Sequence, residues 1–91
     1  MSSETEQADL LSRVEQVSQT TEITYRLFHT PEGYGLAASV TDDPADRVRI
    51  DRLTTSLTAA KRVFALLSEN TVFPYNIREV LDDLLAVDPM P

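Results

Sequence analysis

A change of hydrophobic period near Leu53 constrains this chain more than any other feature. Between residues 22 and 52 apolar side chains recur at every second position, and from Leu57 onward they recur every three to four. Alternation puts one face of a strand on a core, whereas the longer period makes one apolar stripe on a helix. A run of strands followed by a run of helices implies an α+β domain with its helices on one sheet face.

The strand half divides at its turn residues. Glu22–His29 places Ile23, Tyr25 and Leu27 on one face and Thr24 and Arg26 on the other. Thr30-Pro31-Glu32-Gly33 then offers a preset proline φ and a glycine exit, the chemistry of a tight turn. Tyr34, Leu36, Ala38 and Val40 alternate with Gly35, Ala37 and Ser39, so an antiparallel hairpin is expected. The small residues on its second face suggest either a close neighbour or thin cover. Asp42-Asp43-Pro44-Ala45-Asp46 reads as a turn. Arg47–Arg52 follows as a third strand, with Val48 and Ile50 inward and Arg47, Arg49 and Asp51 outward.

In the helical half, Thr54, Thr55 and Ser56 supply capping hydroxyls for a helix over residues 57–68, with Leu57, Ala60, Phe64 and Leu67 as its stripe. Glu69-Asn70-Thr71 breaks it, and Asn70 suits a left-handed terminus. A second helix, roughly 75–86, carries Ile77, Val80, Leu81 and Leu84. Residues 1–9 and 88–91 read as tails around one domain over 10–87. Leu10–Val17 is ambiguous: Leu10, Val14 and Val17 share a helical stripe, which favours a short helix or irregular arm, and a strand at Val14–Val17 is the rival. The expected fold is a three-stranded antiparallel meander, four-stranded if this segment adds one, covered on one face by a C-terminal two-helix hairpin.

Charge and composition exclude several functions. The net charge is −7 and the pI near 4.4, which argues against direct nucleic-acid binding and against docking on anionic lipid. No apolar run approaches the roughly 18 residues of a spanning helix, and the N-terminus carries no leader pattern, so a cytoplasmic protein is expected. Without cysteine there is no disulfide, thiolate metal site or cysteine nucleophile. No cofactor is implied, because Gly33 and Gly35 are the only glycines and cannot build a phosphate loop.

Catalytic constellations are equally sparse. His29, the single histidine, has no second imidazole or thiol with which to hold a metal and reads as a solvated turn residue. Glu79 and Asp83 share a helix face with Asp82 nearby, but the core side belongs to Leu81 and Leu84, so these acids read as solvated surface. Asp42, Asp43 and Asp46 lack calcium-loop spacing. An enzyme would have to draw its site from His29, Tyr25, Tyr34, Arg26 and Glu22.

Six residues stand out as a candidate interaction surface. Arg47, Arg49 and Arg52 form a basic strip on an acidic protein, with ion pairing that protects an edge strand as the plainer account. Phe28 lies opposite Tyr25 and Leu27 and is exposed unless Leu10–Val17 or a second copy covers it. Val72 and Phe73, in the helix connection, are candidates for exposure. The residues therefore favour a non-enzymatic module that binds a protein partner, including itself as a homodimer; the alternative is an acidic nucleic-acid mimic.

Ile23-Thr24-Tyr25-Arg26-Leu27, Tyr34-Gly35-Leu36 and the segment from Val72-Phe73-Pro74 to Asp83-Leu84 together resemble a bacterial family of about this length. That family, of unknown function and from anaerobic Gram-positive bacteria, shows YRL and YGI-like strands and a C-terminal P-x-x-L-x-x-V-x-x-D helix. The resemblance covers residues 22–85, with departures at Leu36, Asn76 and Ile77. It implies a compact α+β protein and carries over no catalytic residue.

Overall fold

The computed structural model describes residues 9–87; residues 1–8 and 88–91, expected as tails, lie outside the described residues. Four strands, β1 (Asp9–Gln16), β2 (Glu22–Thr30), β3 (Gly33–Val40) and β4 (Asp43–Thr54), are followed by α1 (Leu57–Glu69) and α2 (Pro74–Val87). The strands form one antiparallel sheet in the order β1-β2-β3-β4, an up-and-down meander with β1 and β4 at its edges.

The four-stranded form is the one adopted, and the helix or arm expected at Leu10–Val17 is corrected to an edge strand. Asp9, assigned to the tail, is its first residue. Leu11, Ser12, Arg13, Val14, Glu15 and Gln16 pair in order with residues 27 down to 22 of β2. The periodicity could not show this, because most of the strand's side chains on both faces are exposed. An edge strand is held by its backbone ladder, which needs no apolar face.

The β2–β3 hairpin turns at Pro31-Glu32, and Thr30 pairs with Gly33. Gly33 has a φ of 134°, and a Cβ there would lie 2.6 Å from the Thr54 carbonyl oxygen, so only glycine fits. β4 is longer than expected. The turn is Thr41-Asp42, and Asp43 to Asp46, read as a turn, begin β4. The register slips between Ser39 and Val40, leaving Pro44, Ala45 and Asp46 as a bulge, and slips again between Tyr34 and Leu36. Proline is tolerated because β4 is an edge.

Ser56 caps α1, its hydroxyl accepting from the Ala59 backbone N–H at 3.1 Å. At the other end the left-handed residue is Thr71, with φ 52°, whereas Asn70 has φ −98°. The Thr71 and Val72 N–H groups donate to the carbonyls of Ser68 and Leu67, a Schellman closure. Pro74 opens α2, where its missing N–H costs nothing.

Both helices lie on the sheet face bearing Ile23, Tyr25, Leu27, Leu36, Ala38 and Val40. Ala60, Val63, Phe64 and Leu67 of α1 and Ile77 and Leu81 of α2 complete that core. α1 sits on all four strands and α2 on β3 and β4, so each helix packs on the sheet more than on the other helix. Leu57, expected in the core stripe, is exposed in the first turn of α1. The side chain of Leu84 lies outside the described residues.

Candidate functional site

The helices leave the opposite face of the sheet uncovered by either of them, and the register dictates what it displays. One cross-strand row runs Arg26–Ala37–Arg49, and the next runs Thr24–Ser39–Arg47. Beside them Phe28 pairs with Gly35. The small residues of β3 therefore floor a trough of about 490 Å³, with Arg26 on one bank and Arg47 and Arg49 on the other. The aromatic ring of Phe28 lies over Gly35, where a Cβ would come within 2.4 Å of its Cε1.

Electrostatics separates the three arginines. Arg49 Nε donates to Asp51 Oδ1 at 2.8 Å, and its guanidinium stands 4.5 Å from the centre of the Phe28 ring. The edge-pairing account thus describes Arg49. Arg26 and Arg47 are exposed and form no ion pair among the described residues. Exposed guanidinium groups on a floor of small side chains can take carboxylates in bidentate fashion.

The other candidates fall elsewhere. Phe28, expected to be exposed unless Leu10–Val17 or a second copy covers it, is only 2% exposed within the single chain: Gly35 makes room for the ring and the Arg49 guanidinium lies over it. Arg52 does not join the strip: two residues beyond Ile50, it falls by strand alternation on the helix side of β4, opposite Arg47 and Arg49. It lines separate hollows, one with Glu32, Thr54 and Thr55 and one with Arg78, Leu81 and Asp82. Val72 and Phe73 are half-buried and pack against the core rather than forming an exposed patch. Tyr75, stacked on Phe73 with ring centres 5.8 Å apart, is the exposed aromatic of that region at 72%.

The set from which an active site would be drawn is not brought together. Tyr25 is fully buried beneath the helices and donates its phenol proton to the Val72 carbonyl at 2.8 Å. Burial, with the nearby charge of Glu15, pushes its pKa up to about 12. Arg26 lies on the other face of the sheet. His29 is exposed with its ring 5.0 Å from that of Tyr34. Glu79, Asp82 and Asp83 are exposed, and among the described residues no group of three His, Asp or Glu side chains is placed to hold a metal ion. Asp42 accepts a hydrogen bond from the Thr21 hydroxyl. Burial pushes the Asp46 carboxyl up, the Tyr75 backbone N–H pulls it back down, and the charge of Asp43 raises it again.

Arg26 is the residue that sequence reasoning missed as part of the surface. Its neighbours Arg47 and Arg49 lie two strands away, so only the β2–β3–β4 register brings it to them. The small-residue alternation at Gly35, Ala37 and Ser39 was the available signal, since it marks where long side chains can lean across a sheet.

Among the described residues no helix is long and apolar enough to cross a membrane. No curated protein and no solved structure matches the chain. A family model matches residues 6–87, which takes in β1 as well as the hairpin and helices. The chain belongs to DUF6514, a family of unknown function.

Proposed function

We propose that this protein is a non-enzymatic binding module whose uncovered sheet face receives an acidic segment of a protein partner. The observation that carries the reading is the pair Arg26 and Arg47, exposed, without ion-pair partners among the described residues, and facing each other across Ala37 and Ser39. An extended peptide laid along β3 would place carboxylates against both banks. The net charge of −7 repels acidic ligands at long range, but screening confines that repulsion to about 8 Å at physiological ionic strength. Contact-range attraction in the trough then decides, and binding should weaken with added salt.

The test uses a fluorescently labelled oligoglutamate peptide and the full chain. Wild type should bind at low salt, and Arg26→Glu with Arg47→Glu should lose at least about tenfold in affinity while keeping its far-UV spectrum. A photo-crosslinker at Ser39 in host cells should capture a protein that the double variant does not. Equal peptide binding by both proteins would refute the reading. The acidic-mimic alternative has the net charge alone behind it, and it would gain if a basic DNA-binding protein were captured and the arginine changes had no effect.

A further inference from the structure

The two edges of the sheet are treated differently. β4 carries Pro44 and two bulges, devices that stop an edge from pairing with another chain. β1 is regular from Leu11 to Gln16, and among the described residues nothing pairs with its outer side. It and its exit also hold most of the large apolar side chains exposed among the described residues: Leu10, Leu11, Val14 and Val17.

Backbone direction fixes what the outer side offers. Val17 N–H donates to the Thr21 carbonyl, and the Glu22 carbonyl is taken by Thr41 on the β3 side. By antiparallel alternation the odd-numbered residues of β1 bond to β2, and Ser12, Val14 and Gln16 turn their N–H and C=O groups outward. A second β1 can then add about a twofold axis in a few registers only. Centring on Ser12 sets Arg13 against Leu11. Centring on Arg13 sets Arg13 against itself, and centring on Glu15 sets Glu15 against itself. Centring on Val14 sets each Arg13 opposite the other copy's Glu15, each Leu11 opposite a Val17, and Val14 against Val14 on the axis. The same centring makes the Val14 pair and the Ser12–Gln16 pairs the hydrogen-bonded ones, as the outward groups require.

From this self-complementarity we infer that the protein pairs with a second copy of itself through β1, joining two meanders into a continuous eight-stranded antiparallel sheet centred on Val14. Arg13 already bonds to Glu15 of its own strand at 2.5 Å and to the Ser68 hydroxyl of α1 at 3.4 Å, so its head is held on the helix side where the partner's Glu15 arrives. The twofold makes the contact isologous and closes it at two copies. This surface is separate from the arginine trough, and loss of either leaves the other testable.

Sedimentation velocity of the full chain at up to about 100 μM should show a concentration-dependent dimer. Val14→Lys puts two like charges on the axis at a side chain that is already exposed, so it should give a folded monomer. Arg13→Glu alone and Glu15→Arg alone should each be monomeric, because each sets like charges across the axis. An equimolar mixture of those two variants should regain the dimer, since both cross-pairs become opposite in sign. A wild-type monomer, a Val14→Lys dimer, or folded Arg13→Glu and Glu15→Arg that stay monomeric when mixed would overturn the inference. If the charge variants do not fold, Val14→Lys decides it.

Discussion

Gly35→Ala sets two opposed effects against each other at the point where the uncovered face is most tightly built. In the unfolded chain alanine has fewer conformations to lose, which alone would stabilise by about 0.4–1 kcal/mol. In the folded protein the new Cβ would lie 2.4 and 2.7 Å from Cε1 and Cζ of Phe28 and 2.7 Å from the Ile50 carbonyl oxygen. The ring can tilt, at the expense of its contact with Arg49, but the carbonyl belongs to the β3–β4 ladder and cannot move independently. Overpacking of this kind costs about 1–3 kcal/mol, so the clash wins and a net loss of about 1–2 kcal/mol is expected. Urea unfolding followed by far-UV circular dichroism reads this as a lowered midpoint with an unchanged slope. Phe28→Leu removes Cε1 and Cζ, so Gly35→Ala should cost less in that background, with a coupling of at least about 0.5 kcal/mol. The Ile50 contact remains, so rescue should be partial. A Gly35→Ala variant as stable as wild type, or strict additivity of the two changes, would refute the packing described for this face.

Three further outcomes test the helix side. Phe64 is buried at the centre of the core and Asp82 is exposed on α2. Phe64→Ala should therefore cost about 3–5 kcal/mol and Asp82→Ala less than about 0.5 kcal/mol, both read by chemical denaturation. Thr71 holds a left-handed φ of 52° that a β-branched residue adopts at a cost of about 1–2 kcal/mol. Thr71→Gly should raise the melting temperature by relieving it, and a lowered one would show that the Thr71 side chain contributes more than its backbone costs. Tyr25 keeps its proton more firmly in the folded chain, at about 12 against an ordinary 10.0. Its contribution to stability is thus full below about pH 10 and is lost as the pH rises through 12. An ultraviolet tyrosinate titration should show a late phase near pH 12 that Tyr25→Phe removes.

What the sequence determined by itself is whatever local periodicity and turn chemistry decide. The β2–β3 hairpin, the inward Val48 and Ile50, the Ser56 cap, both helices and the one-sided cover all follow from side-chain alternation and spacing within a few residues. Four matters were left to tertiary structure. β1 is a strand because β2 offers it a free ladder, and an edge strand with exposed side chains carries no apolar alternation to announce that. Phe28 is buried because Gly35 stands directly across from it, a cross-strand relation that depends on register. Thr71, not Asn70, takes the left-handed turn, because the closing hydrogen bonds to Leu67 and Ser68 fall one residue later than the side-chain preference of asparagine suggests. Arg26 joins Arg47 and Arg49 around Ala37 because cross-strand pairing sets which side chains of different strands share a face, whereas the separation of Arg52 from them follows from alternation alone. Hydrophobic pattern tells a strand which way to face, but its neighbours across the ladder are chosen by the sheet as a whole.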